Sequence, residues 1–566
     1  MAVHTSTDSL PSSKDVEAID VSVVSVDIKD CKDESSFQHS RTLWCIFFVL
    51  CLFSFLSALD GTIITTSLPT ITSEIGGDSE QLYVWIANCF IFSSTAPQPL
   101  YGQIANIFGR RNPFFVAIAL FTLGSGIAGG ANSAAVLIAG RTVQGLGAAG
   151  LYVLSDILIC DLVPPRHRGP YLSAVLSTAG IGSTIGPVIG GAIAEHNWRW
   201  IFYLNIPISV VGFAIMFILL KVNHVPSRDW KHALARVDLL GAAIFIPSMI
   251  SLFYALITGG IQHSWSSWRV LLPLVLGVGG WILFHIQQVT PLLCKSPSAP
   301  PHLFTNRTSA TGFILTFLSS VLFYTIAYFL PLYFQAVKLV SPLLSGVYYL
   351  PFALAIIPAA GVSGWVLGKW GKYVPLHYAG FALLAIGMGL FSMLDETSSQ
   401  AAWAGFQVIP SMGLAIILTI TLPSTLAPLD EADVAVATAV YSFVRSFGLV
   451  WGVTMAGIVF NGQVNAYLGI VKDGKIRGLL KDGAAYAFAA SGEGLKALKD
   501  PESLAQVMQV YVKALRVVWL VAMAVSLLGF ICVPIERSLE LKKDHTTEYG
   551  LKGGKVGQER KENPGQ

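Results

Sequence analysis

The sequence predicts an all-α polytopic membrane protein of fourteen spans, arranged as six, two and six. Three observations carry that expectation. The 566 residues are 53% hydrophobic and only 12% charged, with a mean hydropathy of +0.63, which is more apolar surface than a soluble core of this length can bury. The apolar residues gather into runs of roughly 20, the length of helix that crosses about 30 Å of hydrocarbon. A glycine–cation pattern also recurs between the two halves of the chain.

Divided at the Pro, Gly, Asn and charged residues that interrupt the apolar runs, the chain yields spans near 43–68, 83–105, 113–131, 136–159, 170–193, 201–221 and 237–257. Seven more follow near 270–289, 311–335, 345–368, 376–394, 403–425, 434–459 and 514–535. The first 41 residues are polar and lack the features of a cleaved secretory signal, so the first span is expected to direct insertion. Basic residues set the orientation: Lys29, Lys32 and Arg41 precede the first span, Arg110 and Arg111 follow the second, and Arg166 and Arg168 follow the fourth. Lys221, Arg228, Lys231 and Arg236 follow the sixth, and Lys369 and Lys372 the tenth. These sides are expected to be cytosolic, as are both termini. The long connection 460–513 is then extracellular, and within it Asp500-Pro501-Glu502 reads as a helix start. The sequon Asn306-Arg307-Thr308 falls on the cytosolic side and is expected to be unused.

The repeat joins Gly102 and Gly109-Arg110-Arg111, at the end of span two, to Gly364 and Gly371-Lys372, at the end of span ten. If span ten corresponds to span two, the helices near 237–257 and 270–289 are left over in the middle. The expected organisation is a disordered cytosolic tail (1–41), a six-helix bundle (42–222), two extra helices (237–290), a second six-helix bundle (310–535) and a disordered cytosolic tail (536–566). Two such bundles around a cavity suit alternating access, because rocking one against the other exposes a midplane site to each side in turn.

Four stretches of residues resemble the major facilitator superfamily. Gly102-Gln103-Ile104-Ala105-Asn106-Ile107-Phe108-Gly109-Arg110-Arg111 is similar to that family's signature between its second and third helices. Leu59-Asp60-Gly61-Thr62-Ile63-Ile64 with Leu68-Pro69, Arg141-Thr142-Val143-Gln144-Gly145-Leu146-Gly147, and Gly182-Ser183-Thr184-Ile185-Gly186-Pro187-Val188-Ile189-Gly190-Gly191 narrow the likeness. Together they resemble the fourteen-span drug:proton antiporter branch, especially fungal drug and toxin exporters, across residues 42–535. The resemblance implies the major facilitator fold, export powered by a proton gradient, and an antiporter helix marked by Gly182, Gly186, Pro187 and Gly190. One position departs from the signature: Asn106 stands where the family usually has Asp.

Polar residues inside the spans are the candidates for function, since a charge in hydrocarbon costs at least about 3 kcal/mol and faces a partner or water. Asp60 sits about 7 Å beyond the middle of span one and Arg141 about 10 Å beyond that of span four, on the same side, counting 1.5 Å per residue. They are expected to face each other, either as a proton-coupling pair or as a permanent structural ion pair. Gln144, one turn from Arg141, reaches either the cavity or a neighbouring helix. Arg445 lacks an acid at its depth in the second half; Asp60, an anionic substrate or a backbone carbonyl are its candidate partners, and it cannot itself carry the proton. A conformational gate is expected from Gly102, Asn106 and Gly109 with Arg110 or Arg111 reaching Asp156 or Asp161. Trp85, Asn88 and Gln98, with Phe323, Tyr324, Tyr328 and Gln335, are candidate cavity residues for flat hydrophobic ligands.

Composition excludes other classes. The net charge of +3 is scattered over short loops, so no nucleic-acid partner is expected. The seven cysteines (Cys31, Cys45, Cys51, Cys89, Cys160, Cys294 and Cys532) show no metal-type spacing, and neither disulfide, metal nor cofactor is expected. Nucleotide-binding loops, paired catalytic carboxylates and histidine clusters are missing, which argues against an enzyme. The expected partners are a small-molecule substrate, protons and the lipid bilayer, around a monomer in the plasma membrane. Proton-coupled uptake of a nutrient or metal chelate, and a non-transporting receptor, are the rival readings.

Overall fold

A computed structural model describes residues 40–541 except 76–79, 223–229, 261, 482, 491–493, 496–497, 499 and 540. The N-terminal tail through residue 39, and the C-terminal tail beyond Leu541, lie outside the described residues, as does Arg228. The first half holds α1 (Arg41–Ile75), α2 (Glu80–Thr95), α3 (Gln98–Phe108), α4 (Arg111–Gly129), α5 (Ala134–Leu162), α6 (Arg168–Asn197), α7 (Trp200–Tyr203) and α8 (Asn205–Leu219). Between the halves lie α9 (Trp230–Ala235), α10 (Leu239–Thr258) and α11 (Trp268–Val289). The second half holds α12 (Arg307–Ala336), α13 (Pro342–Trp370), α14 (Val374–Phe391), α15 (Gln400–Leu426) and α16 (Val434–Tyr467), then α17 (Gly474–Leu480), α18 (Ala484–Ala490) and α19 (Pro501–Cys532).

Twelve helical segments among the described residues are long and apolar enough to cross a membrane. Two further spans read from the sequence fall on α2–α3 and on α6. The first is broken at Ala96–Pro97 into helices of 16 and 11 residues, because Pro97 and Pro99 lack the N–H groups a continuous helix needs. The second is a 30-residue helix that runs through Pro187.

Helix ends follow local chemistry. The side chains of Ser133, Asp238, Ser267, Asn306, Ser341, Ser399 and Asp500 accept the first free backbone N–H groups of their helices. Asn306 of the sequon is thus the cap of α12, and Pro501 opens α19 as its sequence indicates. The connection after span thirteen is shorter than the sequence suggests. Helix α16 continues to Tyr467 and α19 begins at Pro501, both extending past the apolar runs because they pack on α17 and α18 through Val464, Ile476, Leu480 and Tyr511.

Glycines set the packing of both halves. Gly182, Gly186 and Gly190 of α6 lie against the backbone of α1 at Phe55, Leu59 and Ile63, where any Cβ would collide. Gly448 and Gly452 of α16 lie in the same way against Phe317 and Val321 of α12. The α1–α6 pair and the α12–α16 pair are therefore repeats of one another. The shorter sequence repeat has the same basis: Gly109 (φ 80°) and Gly371 (φ 64°) both turn out of their helices with positive φ, a conformation that favours glycine.

The C-terminal tail begins later than position 536. Glu536 is buried against His377, with Oε2 2.7 Å from Nδ1. Arg537 N–H donates to Thr308 Oγ1 at 3.0 Å, and Leu541 packs on Leu367, Tyr373 and Ile420. Local burial, despite the polarity of the segment, holds Glu536 and Leu541 against the bundle.

Candidate functional site

A cavity of about 390 Å³ lies between the halves. Its wall is mostly apolar, with Phe90, Phe323, Tyr324 and Tyr328 beside the amides Asn88 and Gln98. Among the described residues its only charged lining groups are Asp156 and Arg445. A shallower groove of about 630 Å³ lies on the outside of α4 and α8, lined by Ile118, Leu123, Val210 and Phe213 and lacking charge. Its composition is that of a lipid-facing surface.

Of the residues expected in the cavity, Trp85 and Gln335 are placed elsewhere, and Gln144 takes its alternative place against neighbouring helices. Trp85 stacks on Tyr254 of α10, with centroids 5.8 Å apart and planes at 20°. Gln335 donates to Ser345 Oγ of α13 at 2.8 Å. Gln144 lies with Arg141 in the interior of the first half. In each case a nearby polar or aromatic partner on an adjacent helix claims the side chain.

Asp60 and Arg141 are both fully buried, their nearest charged atoms 3.8 Å apart. The closest partners of the carboxylate are neutral: Asn205 Nδ2 donates to Asp60 Oδ2 at 2.8 Å, and Gln144 Nε2 donates to the same oxygen. Asp60 Oδ1 makes no hydrogen bond. Arg141 donates to Asp60 carbonyl oxygen at 2.8 Å and to Gln144 Oε1 at 2.9 Å. Its guanidinium also sits 4.4 Å from the centroid of Phe90 and 5.6 Å from that of Phe202, a cation–π contact of the strong, desolvated kind. Gln144 donates as well to Ser125 Oγ at 2.8 Å, so α1, α4, α5 and α8 share one polar cluster. Phe90 is the partition: one side covers Arg141 and the ring also lines the cavity.

The second ion pair joins the two halves. Arg445 Nη2 of α16 is 3.0 Å from Asp156 Oδ2 of α5, and Ser442 Oγ donates to the same oxygen at 2.8 Å. Asp156, an acid of the first half, is the partner of Arg445; Asp60 is not, because it lies within the first half and is engaged by α5 and α8. Gln98 Nε2 donates to Ser446 Oγ at 3.0 Å beside this pair. Ser173 bonds Thr419 across the same divide. Gly102 meets Ala435 and Ala439 of α16, and Gly364 meets Pro170 of α6, so each repeated glycine sits where helices of the two halves cross closely. All of these contacts are at the end carrying Gly109 and Gly371, and there the cavity is closed.

The remaining gate residues divide their roles. Arg110 Nε pairs with Asp161 Oδ2 at 2.7 Å, nearly free of solvent, within the first half. Arg111 instead rests on Phe115 and Phe217, with centroids at 5.4 and 5.2 Å. Asn106 Oδ1 accepts from Arg110 Nη1 at 3.2 Å while its Nδ2 donates to Ala432 carbonyl oxygen of the second half at 3.3 Å. A carboxylate at 106 could accept but not donate.

Sequence reasoning missed Asn205, Ser125 and the Asp156–Arg445 pairing. Asn205 was legible, as a lone amide in the sixth span on the side of Asp60. Asp156 is an acid within the fourth span that the sequence reading assigns to Arg110 or Arg111 at the gate; Asp161 takes Arg110 instead, which leaves Asp156 to Arg445. Ser125 carries no signal of its own. Among the described residues no group of three His, Cys, Asp or Glu side chains could hold a metal ion.

Two helical halves repeated in their glycine contacts, closed at one end over a central cavity, define a transporter architecture. The chain belongs to the Major Facilitator Superfamily, whose family model matches residues 50–453. It is 46% identical over 521 residues to the MFS efflux transporter aclA of Aspergillus oryzae, covering 92% of this chain and 94% of the relative. It is 43% identical to the efflux pump FUS6 of Gibberella moniliformis, over 92% of each, and 42% identical to the MFS-type efflux pump LUC4 of a Fusarium species, over 91% of each. The human organic anion transporter MFSD10 (TETRAN) shares the fold, with a TM-score of 0.50 at 14% identity over 88% of this chain and all of that one. A proton:xylose symporter, XylE, also has a TM-score of 0.50 at 14% identity, over 82% and 98% of the two chains. The protein is a multi-pass membrane transporter, not an enzyme.

Proposed function

We propose that this protein exports small, mostly hydrophobic organic molecules, of the secondary-metabolite or toxin kind, by proton antiport with alternating access. The relatives named as efflux pumps support the direction, and the apolar cavity wall with few polar anchors supports the substrate class. Helices α2–α3 and α6 complete fourteen crossings, the Gly109 end is cytosolic, and the arrangement described is the outward-facing one. The protein works as a monomer in the plasma membrane with no cofactor.

The observation that carries the coupling is the Asp60 cluster. A carboxylate buried to 0% exposure depends on its donors, and here two are neutral amides while the cation stands off at 3.8 Å. Proton binding removes the buried charge and gives Asp60 an O–H to donate. Arg141 then loses its counter-charge and leans on Phe90, whose ring borders the substrate. Substrate and proton thus compete through one aromatic partition, and each biases which bundle arrangement is stable.

The test is a proteoliposome assay with an imposed pH gradient and a panel of neutral aromatic compounds. Wild type accumulates substrate opposite to the proton flow. Asp60→Asn keeps hydrogen bonding but cannot titrate, and gradient-driven accumulation falls to background while substrate binding is retained. Full gradient-driven transport by Asp60→Asn would refute the coupling role; flux in the direction of the protons would refute export.

A further inference from the structure

The inserted helices α9–α11 are extra to the two six-helix halves, yet α10 reaches the cavity. Leu256 and Ile257 at its end, and the turn Gly259–Gly260 beyond it, line the space between α2 and α16. We infer that this inserted pair is a third wall of the substrate cavity and sets the size of molecule the protein accepts.

Three features make it a firm wall. First, an aromatic seam fills the gap between the halves. Phe253, fully buried, stacks on Phe92 of α2 with centroids 6.2 Å apart, and lies 5.9 Å from Phe447 of α16. Phe245 meets Phe443 at 5.0 Å, and Trp281 of α11 meets Phe447 at 5.7 Å. Apolar contacts of this kind are weakly directional and permit sliding.

Second, directional bonds tie the pair to the first half. Gln103, within the signature itself, accepts from Asp238 N–H at 2.9 Å and donates to the carbonyl oxygens of Arg236 and Ser296. Asp238, buried at the start of α10, accepts from Gly241 N–H at 2.8 Å, from Gln287 Nε2 at 3.0 Å and from Gln288 Nε2. Each polar group in this knot has a fixed geometry, so the pair is anchored to α3 while it slides on α16.

Third, bare backbone forms the wall's upper edge. Gly260 has φ +73°, and a Cβ on either Gly259 or Gly260 would collide with Trp265 behind the turn. Gly259 and Gly260 bring no side chains to that edge, so on α10 only Leu256 and Ile257 add bulk to the lining; Leu256 is packed at 3% exposure, which leaves the half-buried Ile257 to set the clearance.

This inference rests on the proposed transport through the cavity, and its test separates the two. Two neutral fluorescent probes of different size, Nile red and N-phenyl-1-naphthylamine, are measured in the same vesicles. Ile257→Trp lowers the Nile red rate relative to the smaller probe by about tenfold, the scale on which pocket volume discriminates, while Ile257→Leu leaves the ratio unchanged. Equal loss of both rates, or no change in the ratio, overturns the wall. A readout independent of flux is the labelling of Ile257→Cys by a polar maleimide above the wild-type background. Bound Nile red slows it, whereas labelling of Lys472→Cys, exposed in the connection that follows α16, is unaffected. If wild type carries neither probe but protection at 257 is seen, the transport reading fails and the wall stands; flux without protection sinks the wall alone.

Discussion

Asp60 and Arg141 belong to one bundle, whereas Asp156 and Arg445 come from two, and that difference assigns them different tasks. The first pair is sealed, with both groups fully buried and the charges 3.8 Å apart among amide donors. The second is close, 3.0 Å, and stands in the cavity wall at the point where the halves meet. On the proposed rocking of the halves, the first pair's helices stay together and the second pair separates. Charge inside one rigid body is suited to store a proton; charge between bodies is suited to hold a conformation.

The largest expected effect follows from this contrast. Arg141→Ala leaves Asp60 buried without its cation and strips the contacts to Phe90 and Phe202, a change that costs about 3–5 kcal/mol for a broken buried pair. It should lower the detergent melting midpoint sharply. Arg445→Ala also breaks a buried pair, but its carboxylate keeps the Ser442 donor and the vacated space borders the cavity, so melting should fall by less than in Arg141→Ala while cysteines placed at the Gly109 end become more reactive. Equal destabilisation by both substitutions would erase the distinction between a stored charge and a latch.

Next in size are the two repeated glycines. Gly102→Ala sets a methyl against Ala439, and Gly364→Ala sets one against Pro170, in both cases closer than atoms pack. Overpacking costs typically about 1–3 kcal/mol, and here it falls only on the arrangement closed at the Gly109 end. Both substitutions should therefore increase thiol labelling at that end, to a similar degree, with little loss of either bundle's own stability. An effect from Gly102 alone would show that the two crossing points are not equivalent, despite their shared spacing.

The sequence carried the fold further than the site because the two depend on different ranges of information. Apolar runs, capping residues such as Ser133 and Asp500, and the Gly102 and Gly364 spacing are local, and the helices follow them. Asp60 and Arg141 could be matched because depth along two helices is countable. Azimuth is not so easily counted, which is why Trp85, Gln144 and Gln335 read as cavity residues although each turns to a neighbouring helix. The Asp156–Arg445 pair depends on which helices of opposite halves touch, a property of the closed arrangement itself. The Gln103–Asp238 knot likewise required knowing that the inserted pair docks on α3.

The smallest effect concerns Asn106, where two forces oppose each other. Asn106→Asp keeps the acceptor for Arg110 and strengthens it with charge, but removes the donor to Ala432 and sets a carboxylate oxygen against that carbonyl. Losing the hydrogen bond weakens the contact between halves by about 1 kcal/mol. Against this, position 106 approaches the start of α16, where a negative charge is favoured by about 0.3–1 kcal/mol, a gain that Glu431 and Asp433 on either side of Ala432 reduce. The lost donor and the facing oxygens outweigh the helix-end field at this partly solvated site, so Asn106→Asp should open the Gly109 end a few-fold, roughly a factor of five for about 1 kcal/mol. Thiol labelling at low and high salt separates the contributions, since screening weakens the helix-end field and leaves the hydrogen bond nearly untouched. Tighter closure in Asn106→Asp, lost at high salt, would mean that the field dominates and that the amide was a weaker latch than the acid.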